Sequence, residues 1–291
     1  MGEIFALASA VIWALAVILF RRSGESVAPL ALNLFRVVIS SLLFVTTLLL
    51  LGRPLLPDLP ASDYLLLAIS GIIAIAISDT LFHMGLNRVG AGINAVVDTL
   101  YAPFTTMFAF LMLQERLGGM QFIGMGLIIG GVLVASRMDP PRGTSRGRLV
   151  AGILYGAGAM ATLTFGIIIA KPVLLHTDVL WATTARQLGS LVVLVPVSLL
   201  VPGQRRRWAV FRPDASWRFM LPGTVLGSYI ALTFWIAGMK YTRTGTAAAL
   251  NQSTTIFILL FATWFLHERF GRRKMVAAGL AVAGITVVLL F

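Results

Sequence analysis

Glu115-Arg116-Leu117-Gly118 and Glu268-Arg269-Phe270-Gly271 share the pattern Glu-Arg-x-Gly, and they stand 153 residues apart. Extended outward at that offset, residues 85–134 align with 238–287 without a gap: Gly85, Gly92, Phe104, Gly126 and Gly131 meet Gly238, Gly245, Phe257, Gly279 and Gly284. An offset of 150 pairs Arg36 with Arg186, each inside an apolar run. Apolar sequence matches itself readily by chance, but a charged Glu-Arg pair at a fixed offset is not a match of that kind. The chain therefore reads as two copies of one unit. Residues 1–137 form the first five-helix repeat, 138–147 a polar linker carrying Pro140 and Pro141, and 148–291 the second repeat.

Composition says where such a unit lives. Hydrophobic residues make up 58% of the 291 and charged residues 12%, against roughly 25% charged in a soluble domain. Apolar runs at 4–20, 28–51, 63–86, 91–113, 118–136, 148–170, 178–201, 216–239, 244–266 and 274–291 are each long enough to cross about 30 Å of hydrocarbon. The expected fold is an all-α membrane protein of ten transmembrane helices. The first run is followed, not preceded, by Arg21-Arg22, so it reads as a retained span and not as a secretory leader. With no cysteine in the chain, disulfides and thiol chemistry are excluded.

Basic residues in the loops set the orientation. One face holds five, Arg53, Arg116, Lys171, Lys240 and Arg243, while the other holds sixteen, including Arg21, Arg22, Arg137, Arg205–Arg207 and Arg272–Lys274. The richer face is expected to be cytoplasmic, in a plasma (inner) membrane, with both termini on the non-cytoplasmic side. That placement explains the net charge of +12 through lipid headgroups, with no nucleic acid partner. Five spans per half is an odd number, so the second half enters from the opposite side. The expected architecture is a 5+5 inverted-topology repeat around a central cavity, which points to alternating-access transport.

Pro103, the two Glu-Arg-x-Gly stretches, the arginines within spans 2 and 7, and Trp13 together resemble the EamA-type drug/metabolite transporter superfamily. The resemblance covers nearly the whole chain. It implies an inverted-repeat exporter of small metabolites, often amino acids, and the closer similarity is to its bacterial exporters of aromatic amino acids. One departure stands out: where the first half has Pro103, the second has Ile256.

Ionised residues cost about 2.5–3.5 kcal/mol near the bilayer centre, so the few present mark function or a specific pairing. Arg36, Asp79, His83 and Asp98 fall at one depth, toward the cytoplasmic ends of spans 2, 3 and 4. They are expected to form a polar gate or proton relay, with Arg36 paired to Asp79 or Asp98 and His83 on the rim. A purely structural ion pair is the competing reading for Arg36. In the second half the equivalents of Asp79 and Asp98 are Leu232 and Asn251, while Arg186 keeps its charge. The two gates are therefore chemically unequal.

Helical spacing gathers the candidate substrate residues. Trp13 lies with Ser9 on span 1, Asn94 and Tyr101 flank Asp98 on span 4, Tyr229, Thr233 and Trp235 lie on span 8, and Asn251, Gln252 and Thr255 on span 9. Apolar walls with a few fixed polar groups suit a zwitterion whose ammonium faces aromatic rings. Tyr64, Trp208, Trp217 and Tyr241, near span ends, read as interfacial belt residues. Gly126 with Gly130, Gly152 with Gly156, and Gly279 with Ala283 read as small-residue packing pairs. Glu115 and Glu268 read as loop anchors.

These features favour a secondary transporter that exports small neutral metabolites, foremost aromatic or large apolar amino acids such as phenylalanine, tryptophan and methionine. It would act as a monomer in the lipid bilayer on a small-molecule substrate, with no cofactor and no metal. A multidrug or cation exporter needs an acid mid-span in span 1, where Trp13 stands and the acid is only Glu3, at its edge. A phosphorylated-sugar antiporter needs several basic residues in the pocket, and the interiors of spans 8 and 9 offer none. An intramembrane enzyme needs a nucleophile with its base or a His-Glu-x-x-His pair, and His83, His176 and His267 stand apart. A non-catalytic scaffold or receptor is the structural alternative.

Overall fold

The structure, a computed structural model, describes residues 2–113, 118–137, 145–200, 208–241, 250–268 and 271–290. Within them every regular element is helical. Eight helices are long and apolar enough to cross a membrane: α1 Gly2–Ser23, α2 Pro29–Leu50, α3 Ala61–Val89, α4 Ala91–Met112, α5 Gly119–Ser136, α6 Arg146–His176, α7 Val179–Leu200 and α8 Trp217–Gly238. Two more follow. The shorter apolar α9, Leu250–Leu266, covers the later part of the expected ninth span, whose start lies outside the described residues. Helix α10, Arg272–Leu290, opens on three consecutive basic residues. Among the described residues, then, eight helices meet that length and composition where ten spans are expected. Glu115, Arg116, Leu117, Arg269, Phe270 and linker residues 138–144 also lie outside the described set.

Local chemistry fixes several helix ends. Pro29 occupies the first turn of α2, where its missing N–H costs nothing. Gly90, at φ +82°, turns the chain sharply from α3 into α4, a backbone conformation that side chains rarely tolerate. Ser145 caps α6, its hydroxyl accepting from the Arg148 N–H at 3.3 Å.

The two halves pack through close backbone approach, and their contacts recur at the offsets of the sequence repeat. A Cβ added at Gly166 on α6 would come within 2.7 Å of Ala74 Cβ on α3, and one added at Gly227 on α8 within 2.7 Å of Ala16 Cβ on α1. The positions correspond, but glycine and alanine have changed sides. Gly85 on α3 faces the Gly156 backbone just as Gly238 on α8 faces that of Ala6. Hydroxyl bonds follow the same rule: Ser78 Oγ donates to the Ala159 carbonyl at 2.7 Å, and Ser9 Oγ to the Ala231 carbonyl at 2.8 Å. At helix level α3 packs on α6 as α8 packs on α1, and α4 on α6 as α9 on α1. The pairs α2–α7, α4–α9 and α5–α10 bridge the halves.

Helices α3 and α8 share a second feature. Each is interrupted by π-helical turns, Ile72–Ile77 in α3 and Thr224–Ala231 in α8. Shifted by 153 residues, the first falls inside the second.

The α5–α10 contact corrects the packing expected there. Gly124, Gly131 and Gly284 form it: a Cβ at Gly284 would lie 2.5 Å from the Gly124 carbonyl oxygen, and one at Gly131 2.7 Å from that of Ala277. Gly126, Gly130 and Gly279 have open space beside them, and Ala283 is exposed. The small residues chosen from sequence lie on the right helices but face outward. Gly152 and Gly156 do pack, against Val89 and Val97.

Gly284→Val is expected to destabilise the protein by about 1–3 kcal/mol through overpacking against backbone. Gly126→Val should change stability by no more than about 0.5 kcal/mol. Thermal unfolding of the two variants in detergent checks the assignment; equal loss in both would refute it.

Candidate functional site

A cavity of about 250 Å³ lies between the halves, and α1, α2, α3, α4, α6, α7, α8 and α9 all contribute to its wall. Both π segments border it, through Ala74 and Ile75 on α3 and through Gly227, Ser228 and Ala231 on α8. A π turn departs from the 3.6-residue repeat and often accompanies a functional site.

Of the residues expected from sequence, Trp13, Tyr101, Trp235, Asn251, Gln252, Thr255, Arg36, Asp79 and Asp98 line this cavity. Four others do not. Asn94 is fully buried between α4 and the glycines of α3 and α6, and its Nδ2 donates to Asp98 at 3.1 Å and 3.3 Å. Tyr229 sits within the π segment and turns toward α2, where its hydroxyl meets Thr47 Oγ1 at 2.5 Å and its ring packs edge-on against Phe44. Thr233 bonds back to the Tyr229 carbonyl at 2.7 Å. His83 is fully buried behind the wall, with Nδ1 against the Asp79 carbonyl and its ring wedged between Phe20 and Phe82. It is therefore not on the rim, and its Nε2 is buried without a partner.

The remaining charged groups divide into a pair and two single groups. Arg36 Nη2 donates to Asp79 Oδ2 at 2.7 Å, and the guanidinium lies 5.2 Å from the centre of the Phe20 ring. Asp79, not Asp98, is thus the partner of Arg36. Asp98 has only Asn94 as a hydrogen-bonding side chain, with no cation in ion-pairing reach among the described residues. On α7, Arg186 Nε donates to Ser70 Oγ at 2.9 Å, and Ser70 in turn donates to the Gly166 carbonyl at 2.6 Å. No described carboxylate ion-pairs with Arg186, and Leu232 occupies the position corresponding to Asp79.

Arg186, Gln187 and Thr183 line the cavity but were absent from the expected substrate set. The signal was present: positions 183, 186 and 187 share one helical face, a polar stripe within an apolar span.

At one end of the molecule three connections tie the halves together. Glu268 accepts from the Ala91 and Gly92 N–H groups at 2.7 Å and 3.0 Å, capping α4, and also takes Lys274 Nζ at 2.8 Å. Arg22 donates to the Phe265 carbonyl, and Arg273 to that of Arg137. At the opposite end Arg53 pairs with Asp178, His176 with Asp63, and Trp181 Nε1 donates to the Leu55 carbonyl. Tyr64 stacks edge-on against Trp181 there, whereas Trp217 packs on Phe35 at the first end.

Comparison with known proteins gives three findings. The model of the EamA-like transporter family matches residues 1–137 and again 150–290. A Lactiplantibacillus plantarum protein described by name as a sugar uptake protein is 28% identical over 173 residues, 60% of this chain. The match spans only 58% of that relative's length. A solved crystal structure superposes with a TM-score of 0.69 over 99% of this chain and 96% of its own, at 16% identity, which establishes a shared fold.

Breaking one side of a buried ion pair leaves the other charge uncompensated, at a cost of about 3–5 kcal/mol. Asp79→Asn should therefore lower thermal stability and folded yield far more than Asp98→Asn, whose carboxylate holds no cation. Gel-filtration yield and melting temperature of the two variants test this, and equal stability would refute the pairing.

Proposed function

We propose that this chain, which belongs to the EamA-like transporter family, is a secondary transporter that exports amino acids with aromatic or large apolar side chains. Family membership and its many apolar helices make it a multi-pass membrane transporter of small molecules. The observation that carries it is a cavity walled by both halves, where Trp13, Tyr101 and Trp235 surround a small set of amides, hydroxyls and charges. Rings offer an apolar side chain its contact area and an ammonium its cation–π partner. Amides and guanidinium supply donors for a carboxylate. The cavity is built within one chain, which supports action as a monomer.

Ten crossings in two inverted halves complete the reading. The recurrence of contacts with residues exchanged between partners is what a pseudo-two-fold repeat predicts. Loops expected on the basic face meet one another, through Arg22 with Phe265 and Gly90–Gly92 with Glu268. Loops expected on the other face meet at Arg53–Asp178. Alternating access follows if the Glu268 cap and its neighbours must part for the cytoplasmic mouth to open. The sixteen-to-five bias in basic residues supports an inner-membrane location with both termini outside.

The relative described as a sugar uptake protein favours one second reading, a neutral sugar held by the same rings and amides. Purified protein in liposomes, loaded in turn with phenylalanine, tryptophan, methionine, threonine, glucose and ribose, separates the two. Efflux of the aromatic and large apolar amino acids is expected, reduced about tenfold or more in Trp13→Ala and Trp235→Ala, each of which removes a large binding contact. Sugar flux without amino acid flux overturns the proposal. Since the chain lacks cysteine, Gly147→Cys and Leu56→Cys can be labelled singly with an impermeant maleimide. Labelling from the cytoplasmic side for the first and the external side for the second is expected; a common side would refute the inverted arrangement.

A further inference from the structure

The geometry points to Arg186 as the residue that receives a substrate carboxylate, and so as the determinant that separates carboxylate-bearing substrates from amines and sugars. This rests on the transport reading for its physiological meaning, but the binding site itself can be tested without it.

Four observations converge on this arginine. It lines the cavity while its own surface is 8% exposed, so its charge is withdrawn from both aqueous faces. Its Nε is engaged by Ser70, which is itself locked to the Gly166 carbonyl, so the fork is oriented by α3 and α6. That leaves the two Nη nitrogens, which have no protein acceptor among the described residues. Those are the atoms that grip a carboxylate with two parallel bonds.

The pseudo-symmetric mate supplies an internal control. Arg36 at the corresponding position of α2 has its carboxylate, Asp79. The sequence equivalent of Asp79 in the second half is Leu232, an apolar side chain that lines the same cavity, so the carboxylate that acts on Arg186 across space is Asp79, already bonded to Arg36. One arginine of a matched pair is bonded to a carboxylate, and the other feels that same carboxylate only across space. A guanidinium without a carboxylate of its own is costly to keep in a membrane interior. A ligand carboxylate offsets that cost whenever the cavity is occupied. Gln187 adds a second polar side chain beside the fork, its Oε1 buried without a partner.

A purely structural Arg186 needs only the Ser70 bond and is indifferent to what stands at 232. Leu232→Asp distinguishes the roles, because it adds a carboxylate to the wall of the cavity that Arg186 lines, a built-in competitor for the guanidinium. Binding to the purified full chain is read by isothermal titration with 3-phenylpropionate, which has the carboxylate and no ammonium, and with phenethylamine, which has the reverse. Leu232→Asp and Arg186→Gln are both expected to weaken 3-phenylpropionate binding by about tenfold or more, the loss of a charge-assisted contact. Phenethylamine binding should stay within about twofold of wild type, and Arg186→Lys should restore part of the acid binding. Arg186→Gln and Arg186→Lys carry the test where Leu232→Asp does not fold.

Unchanged acid binding in either variant, equal loss of both probes, or no binding of the acid to wild type overturns the inference. Liposomes keep the two readings apart. Flux of phenylalanine and phenylalaninol at equal rates leaves the transporter and removes the carboxylate site. Acid binding that depends on Arg186, without flux of any amino acid, leaves the site and removes the amino acid transport reading.

Discussion

Lipid offers helices no hydrophobic incentive to associate, because acyl chains are as apolar as leucine. What holds a bundle together there is contact close enough for dispersion and backbone hydrogen bonding, and this protein achieves it with glycine, alanine and serine at matched points between its halves. Gly166 against Ala74, and Gly227 against Ala16, bring backbones nearly into touch. Ser78 and Ser9 reinforce the same approaches by bonding to carbonyls of the opposing helix. The cavity lies beside such contacts, with Trp13, Tyr101 and Trp235 in its wall. Each packing device is a small local choice, yet together they decide where space remains.

Charge is distributed less evenly than packing. The first half neutralises its intramembrane arginine at 2.7 Å, and the second leaves its own facing the cavity. Low dielectric magnifies that difference, since an uncompensated charge weighs far more there than at a wet surface. A molecule whose contacts repeat so faithfully therefore presents a ligand with two chemically different walls. Asp98, held by Asn94, adds a carboxyl group on α4 where the second half has Asn251.

Much of this was legible in the sequence, and the omissions have a common physical origin. The repeat could be read from Glu-Arg-x-Gly, and the membrane setting from apolar runs and basic loops, because these depend on order along the chain alone. Arg36, Asp79, Trp13 and Asn251 were found because charged, aromatic and amide side chains in mid-span are rare. Azimuth was harder to read. Tyr229 and Thr233 were placed by a regular helical projection that the π segment of α8 does not obey, so Tyr229 turns to Thr47. Gly126 and Gly279 share helices with Gly124 and Gly284, and spacing by four fits either face. His83 was assigned by depth, and depth does not distinguish a wall residue from one packed behind it. Arg186 was noticed for its charge, but its significance required the structural comparison with Arg36.

The widened turns in α3 and α8 leave a mark on everything downstream of them. Each residue of an α-helix advances the chain by about 100° around its axis. A single-residue excess in 72–77 thus sets the direction in which Ser78 and Asp79 project, and the one in 224–231 does the same for Leu232 and Trp235. Removing a residue from the regular helix just beyond either stretch would swing side chains further along by about 100°, whereas the wide turn itself takes up an extra residue without that rotation. The excess residue is therefore absorbed where it stands and the aim of the side chains beyond it is kept, a local adjustment that a regular helix cannot make and a surface loop does not need.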